Sequence, residues 1–212
     1  MNFLELINKC LLELNYKRVS SFSELVKNDH TKIKNIINLI NKEICFIENW
    51  DFLLRKTSIN LPKGASEVKN TINGRILYLF IDNKKYEYSE NIERFLTGKD
   101  VSGLYSCLGD KLLLPVFDTD KTIEIVYYTH CNIVDEHGNE KCNFVSDKDE
   151  SLIPMPFAEQ LLVYGTCLRM KANPQYIKFS YWMSMYKEAL ANLKSKCCIS
   201  AKSTPEVHLH RN

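Results

Sequence analysis

The first fifty residues carry apolar side chains at the spacing of an α-helix. Over residues 2–15 they recur every three or four positions, which places them on one helix face. A stronger repeat after the cap candidates Asp29 and Thr31 predicts a second, longer helix. Its members are Ile33, Ile36, Ile37, Ile40, Ile44 and Ile47. Two amphipathic helices therefore precede position 50.

At Trp50 the period changes from that of a helix to that of a strand. Residues 54–61 alternate apolar and polar side chains, and the turn residues of Pro62–Gly64 follow. Further strand patterns extend to position 129, with tight turns at Asp82–Asn83 and Gly109–Asp110. The middle of the chain is therefore predicted to be an antiparallel β meander.

Residues 132–151 are mostly polar, and this stretch contains six acidic residues but only two lysines. We expect an acidic loop there, with a small hairpin about residues 137–139. Helical periodicity then returns in two segments separated by Asn173-Pro174, and so short a joint predicts an antiparallel helix pair. After Lys196 the periodicity is lost, which is typical of a flexible tail.

These patterns predict an α+β fold. The N-terminal helices have too few partners by themselves, so we expect them to pack on the C-terminal pair as a helical bundle base. The base would be discontinuous, comprising residues 1–50 and 152–196. Residues 51–151 would form an inserted antiparallel β meander or barrel-like domain, and residues 197–212 a flexible tail.

Composition narrows the possible functions. The chain has 212 residues, of which 45% are hydrophobic and 25% charged, with a net charge of +2. A strongly basic domain for tight duplex binding is not indicated. No apolar run approaches the roughly 18 residues that a membrane helix needs, and the N-terminus does not have the pattern of a signal peptide. We expect the eight cysteines to be reduced thiols in the cytoplasm.

The sequence offers little catalytic chemistry. No glycine-rich phosphate loop and no HExxH motif occurs. Glu48 and Asp51 flank Trp50, but no second acid cluster or cleft accompanies them, so we expect an exposed helix residue and a turn residue. His130, Cys131, His137 and Cys142 have poor spacing for zinc, and an ordinary loop is favoured over a metal site. We therefore expect no enzyme activity, no metal and no cofactor.

Aromatic residues are frequent in the β part, and cations lie between them in the sequence. Such interleaving is compatible with a platform on which single-stranded nucleic acid stacks. Sheet core and subunit contacts are the favoured interpretation, because no RNP-like motif is present. The aromatic residues are Tyr78, Phe80, Tyr86, Tyr88, Phe95, Tyr105, Phe117, Tyr127 and Tyr128, and the cations are Arg75, Lys84, Lys85 and Lys111.

Taken over residues 2–195, the order of features resembles the head-to-tail adaptor proteins of tailed bacteriophages, of the tail tubular protein A type in short-tailed phages. The resemblance rests on the helix that ends in Trp50-Asp51-Phe52, the strand pair around Gly109-Asp110, the tyrosine-rich strand and the proline-started helix. The matched residues of the later elements are Leu112, Leu114, Pro115, Tyr127, Tyr128, Ile153, Pro154, Phe157, Leu161, Leu162 and Tyr164. The acidic loop before Leu152 and the tail depart from the family pattern.

The resemblance implies a structural virion protein at the head–tail interface, assembled in the host cytoplasm. Its expected partners are further copies of itself in a ring of roughly twelve, the portal protein, a downstream tail or ring protein, and double-stranded DNA passing through the lumen without sequence specificity; no membrane is implied. The alternative is a nucleic-acid-binding or regulatory module.

Two groups of residues are singled out as structural or docking residues. We expect Trp50, Phe52, Pro154 and Phe157 to form the joint between the helical base and the β part. The tail is expected to dock on the portal as an extended segment. The tail residues expected to make this contact are Ile199, Pro205, Val207 and Leu209.

Overall fold

The computed structural model describes residues 1–199, which divide into two compact units. The helical unit comprises Met1–Leu53 together with the chain from Cys131 onward, and the β unit comprises Leu54–His130. The helical unit is therefore built from both ends of the described chain, and the β unit is inserted between them.

The elements follow one another in the predicted order. The helices are α1 (Phe3–Glu13), α2 (Asn28–Ile47), α3 (Ile92–Leu96), α4 (Phe157–Met170) and α5 (Phe179–Cys197). The strands are β1 (Leu54–Leu61), β2 (Glu67–Lys69), β3 (Gly74–Ile81), β4 (Lys84–Tyr88), β5 (Leu104–Leu108), β6 (Lys111–Leu113), β7 (Lys121–Thr129), β8 (Ile133–Val134), β9 (Glu140–Lys141) and β10 (Glu150–Ser151). Short 3₁₀ turns lie at Phe22–Glu24 and Asp51–Leu53.

Helix α4 lies at the centre of the helical unit and packs against α1, α2 and α5. Its side chains are buried over most of its circumference, as expected of a helix surrounded by others. Gly165 allows this close packing: a Cβ there would lie 3.0 Å from the Tyr186 ring and 3.1 Å from Cδ1 of Ile40. Trp182 of α5 is fully buried and donates from Nε1 to the Glu13 carboxylate over 3.0 Å.

Residues 131–151 fold onto the first two helices rather than into the β unit. Strands β8, β9 and β10 form a small sheet of their own, in the order β10-β8-β9. The Asn38 side chain accepts a hydrogen bond from Phe144 N at 2.7 Å, and the buried Asn41 donates to Asn132 O at 3.1 Å. The predicted boundary at residue 151 therefore differs from the structural one at His130.

The buried carboxylate of Asp149 holds together the turn of this segment. It accepts hydrogen bonds from the backbone N–H groups of Val145 and Ser146 and from the ammonium of Lys141. Burial opposes ionisation of Asp149, but these three donors together hold the pKa of its carboxyl below the ordinary value. The stretch predicted as an acidic loop is thus ordered by one of its own acids.

The β unit is a seven-stranded, nearly closed sheet with the order β1-β7-β3-β4-β5-β6-β2. One side of it encloses an apolar core that consists of Leu61, Leu79, Ile81, Tyr86, Tyr105, Leu112, Leu114, Ile123 and Ile125. Strands β3 and β4 are joined by the predicted two-residue turn, where Asp82 and Asn83 both have positive φ.

The α+β class with an inserted barrel-like β unit is confirmed, but the sheet is not a pure antiparallel meander. Strands β4 and β5 pair in parallel, at Glu87 with Leu104 and at Tyr88 with Tyr105. The chain between them passes through α3, and such a crossover lets two successive strands run in the same direction.

Candidate interaction surfaces

A cleft of about 420 Å³ opens in the β unit where β3 and β4 diverge. The two strands pair only at Leu79–Ile81, after which β4 turns to pair with β5. The walls are formed by Gly74–Leu77 of β3, Lys85–Tyr88 of β4 and the β5 residues Tyr105 and Cys107. The parallel β4–β5 pairing thus leaves a gap inside the sheet.

Along this gap, β3 presents a backbone edge with a strand on one side only. Gly74–Tyr78 pair with β7 throughout, apart from a bulge at Leu77. Within residues 1–199, no strand pairs with these five residues on their other side. A strand edge of this kind is what an added peptide strand hydrogen-bonds to.

The cleft combines aromatic rings with cations. The Tyr88 and Tyr105 rings meet edge to face with centroids 5.6 Å apart, and Tyr88 is 53% exposed. Lys85 Nζ lies 5.5 Å from the Tyr78 ring centroid, and the Arg75 guanidinium lies 5.3 Å from that of Tyr128. Burial, as the largest cause, raises the pKa of Tyr105 to about 12, so its hydroxyl remains a hydrogen-bond donor at neutral pH.

The structure brings together only part of the predicted aromatic and basic platform. The cleft is lined by Arg75, Lys85, Tyr86, Tyr88 and Tyr105. Lys111 instead pairs with Glu67 across the antiparallel strands β2 and β6. The remaining aromatic residues divide between the core and other surfaces. The gap itself has no signature in the sequence, because it arises from pairing between distant strands.

A second surface lies on α2 in the helical unit. Leu39, Phe46 and Ile47 are 48%, 53% and 49% exposed. Large apolar side chains grouped on one element are typical of protein contacts, whereas single ones are ordinary. Ile47 had been predicted to close the buried stripe of α2, but it lies at the last position of the helix and faces outward.

The four residues of the predicted joint all have partners inside the helical unit. Trp50 is fully buried, donates from Nε1 to Ile44 O at 2.6 Å, and stacks on Phe52 with centroids 5.6 Å apart. Pro154 O accepts from Ala158 N as α4 begins. Phe157 is buried, and its ring lies 5.5 Å from Lys196 Nζ.

The two acids beside Trp50 lie in different local surroundings. Glu48 is half-buried rather than exposed and accepts a hydrogen bond from Lys194 Nζ at 2.7 Å, while Asp51 begins a 3₁₀ turn. In the described part of the chain, no group of three or more His, Cys, Asp and Glu side chains is arranged to hold a metal.

The predicted tail begins later than the loss of periodicity indicated. Cys197 ends α5, Cys198 pairs its backbone with Trp50, and Ile199 N donates to Asn49 O at 3.1 Å. The chain is therefore tied to the helical unit as far as Ile199. Pro205 and the other two predicted docking residues, Val207 and Leu209, lie outside the described residues.

No protein-family model matches the sequence, and none of the curated proteins matches it significantly. Among residues 1–199, no helix is long and apolar enough to cross a membrane.

Proposed function

We propose that this protein is the head-to-tail adaptor of a tailed bacteriophage. Its copies form a ring between the portal vertex and the tail, and the genome passes through the centre of that ring. The proposal rests on the architecture of the chain: one helical unit is made from its N- and C-terminal parts, and a barrel-like β unit is inserted between them. The resemblance to phage adaptors implies this same architecture.

Two surfaces of different chemistry support assembly into a ring. A ring closes through heterologous contacts, so each subunit needs two different faces. The helical unit offers the apolar side chains of α2, and the β unit offers the cleft with its open β3 edge. The net charge of +2 also suits a channel through which DNA slides, because dense phosphate contacts would hold the genome in place.

Electron microscopy of the protein with its particles tests the proposal directly, and the expected result is a ring at the portal vertex. Phe46→Glu, which places a charge on the α2 surface, should reduce ring occupancy at least tenfold. Val26→Glu is the matched control, because Val26 is 81% exposed and lies outside α2. Wild-type protein that never associates with particles contradicts the adaptor assignment.

As part of the same proposal, the C-terminal segment docks on the portal. The deletion that tests this removes residues 200–212 and retains Cys198 and Ile199, which hydrogen-bond within the helical unit. The shortened protein should fold normally, by circular dichroism, and fail to attach to particles. Unchanged attachment refutes this docking role without affecting the ring.

The second candidate function, a nucleic-acid-binding module, is favoured by one feature: the aromatic residues Tyr88 and Tyr105 line the same cleft as the cations Arg75 and Lys85. It predicts that the purified protein binds a labelled single-stranded oligonucleotide, more weakly as salt rises. Tyr88→Ala should then weaken binding several-fold. The adaptor function predicts no appreciable binding in the same titration at physiological salt.

A further inference from the structure

Two cysteines of the helical unit lie side by side on the small sheet. The Sγ atoms of Cys131 and Cys142 are 4.0 Å apart. They flank the β8–β9 pair, in which Ile133 is opposite Lys141 and Asn132 N donates to Lys141 O at 3.1 Å. The backbone pairing between them therefore holds the two thiols close together.

The distance between the sulfurs is small enough to be closed by side-chain rotation. A disulfide requires an S–S separation of about 2.05 Å, so the two atoms must approach by about 2 Å. Changing one cysteine from one staggered rotamer to another moves its Sγ by roughly 3 Å. Side-chain rotation is therefore of the size needed to bring the two sulfurs to bonding distance.

The two thiols differ in accessibility. This difference suits a pair in which an exposed cysteine attacks an external disulfide and a buried one then resolves the mixed disulfide. Cys142 is exposed, whereas Cys131 is only 7% exposed. Cys10 and Cys45 are buried, and burial raises the pKa of both thiols, which keeps them unreactive. Cys142 is the most exposed of the eight thiols, so an oxidant meets it first, and the Cys131 thiol lies beside it.

We propose that Cys131 and Cys142 form a modification site that reacts with low-molecular-weight disulfides and closes to an intramolecular disulfide. The Cys142 thiolate attacks one sulfur of oxidised glutathione, forming a mixed disulfide and releasing one glutathione thiolate, which takes up a proton. The Cys131 thiolate then attacks the Cys142 sulfur and releases the second glutathione. Two protein thiols are oxidised and one glutathione disulfide is reduced to two thiols.

The new bond would fix a segment that contacts both α1 and α2. The twelve-residue loop from Cys131 to Cys142 contains Asn132, whose carbonyl accepts from Asn41 of α2. Just beyond the loop, Phe144 stacks on Phe3 of α1 with centroids 4.6 Å apart. On the proposed adaptor function, on which this step rests, the thiols stay reduced during assembly in the cell and close after the particle leaves it.

The test uses the purified full chain, incubated with oxidised or reduced glutathione and analysed by peptide mass mapping without reduction. The wild-type protein should yield one cross-linked peptide pair joining Cys131 and Cys142. Its helical unit should unfold about 5 °C higher than the reduced form, because the closed loop loses entropy in the unfolded chain. Oxidation without this cross-link overturns the proposal.

Replacing one cysteine at a time with serine tests the order of the two steps. Cys131→Ser should retain one glutathione on Cys142, since nothing resolves the mixed disulfide, whereas Cys142→Ser should remain unmodified at Cys131. Cys107→Ser, in the β unit, is the matched control and should behave like wild type. A glutathione adduct at Cys131 in the Cys142→Ser protein refutes the order.

If Cys131→Ser fails to fold, trapping of the wild-type intermediate by acid at early times supplies the same information. These measurements use the isolated chain, so they are independent of ring formation. If no disulfide forms, the disulfide proposal fails and the adaptor proposal is unaffected. If no ring is seen on particles, the adaptor proposal fails and the disulfide result is unaffected.

Discussion

Truncating Trp50 to alanine should be among the most destabilising single changes in the helical unit. Trp50 follows α2 in the chain and is fully buried, with 0% relative accessibility. A buried tryptophan removes on the order of 150–250 Å² from water, and Trp→Ala replacements in protein cores cost about 3–5 kcal/mol. The side chain also supplies a hydrogen bond to Ile44 O, in the last turn of α2.

That hydrogen bond lets the packing and polar contributions be separated. The Ile44 carbonyl belongs to the last four of α2, which have no N–H partner within the helix. Trp50→Phe retains most of the ring and its stacking on Phe52 but removes the donor, so we expect a loss of about 1–2 kcal/mol. Trp50→Ala loses both contributions, and we expect about 4 kcal/mol.

Urea unfolding followed by circular dichroism at 222 nm measures these losses, with Trp182 fluorescence as a second probe of the helical unit. With an m-value of about 2 kcal/mol/M, the alanine variant should unfold at a urea concentration about 2 M lower. Phe46→Ala is the matched control, because its ring is 53% exposed, and it should change the midpoint by less than about 0.5 M. A loss below about 1 kcal/mol for Trp50→Ala would refute the packing argument.

Three further predictions concern the β unit, the acidic segment and the buried thiols. Gly74→Ala should break the start of the β3–β7 pairing, since a Cβ would lie 2.2 Å from Tyr128 O; unchanged hydrogen exchange along β7 would contradict this. The pKa of Asp149 is lowered on folding, so its stabilisation is present above its ordinary pKa of about 4 and lost as the pH falls through the lower, folded value. Asp149→Asn, which weakens the ion pair with Lys141, should cost about 2 kcal/mol in urea unfolding at pH 7 and reduce the acid dependence of stability; an unaltered acid profile would count against it. Burial raises the pKa of Cys45 to about 12, so iodoacetamide at pH 8 should modify it only in urea, and native-state labelling seen by mass spectrometry would argue otherwise.

Local patterns predicted the elements well where one period runs over many residues. The isoleucine stripe of α2 is the clearest case, since Ile33, Ile37, Ile40 and Ile44 are all buried. The alternation of β7 likewise placed Ile123 and Ile125 correctly in the sheet core. In both elements the side chains that face the core repeat at the period of the backbone itself.

Sequence reasoning missed the features that depend on pairing between distant or very short segments. The parallel contact of Glu87–Tyr88 with Leu104–Tyr105 involves two residues on each strand, too few for a periodic signal. The small hairpin expected about residues 137–139 is present as β8 and β9, but its register, which brings Cys131 beside Cys142, was not predicted. The two cysteines could be noticed in the sequence as neighbours of histidines, but their proximity to each other depends on that register.

The β3 edge along the cleft is protected against self-association by a charged side chain. An exposed strand edge invites self-association unless charged side chains guard it. Leu77 and Tyr78 on this edge are 37% and 42% exposed, and Lys85 covers the Tyr78 ring while its ammonium contacts Glu87 at 3.0 Å. A second copy of β3 carries no acidic side chain and brings one further cation, Arg75. It would take the Lys85–Glu87 ion pair out of water without adding a carboxylate to it, and this desolvation cost disfavours pairing between two β3 strands.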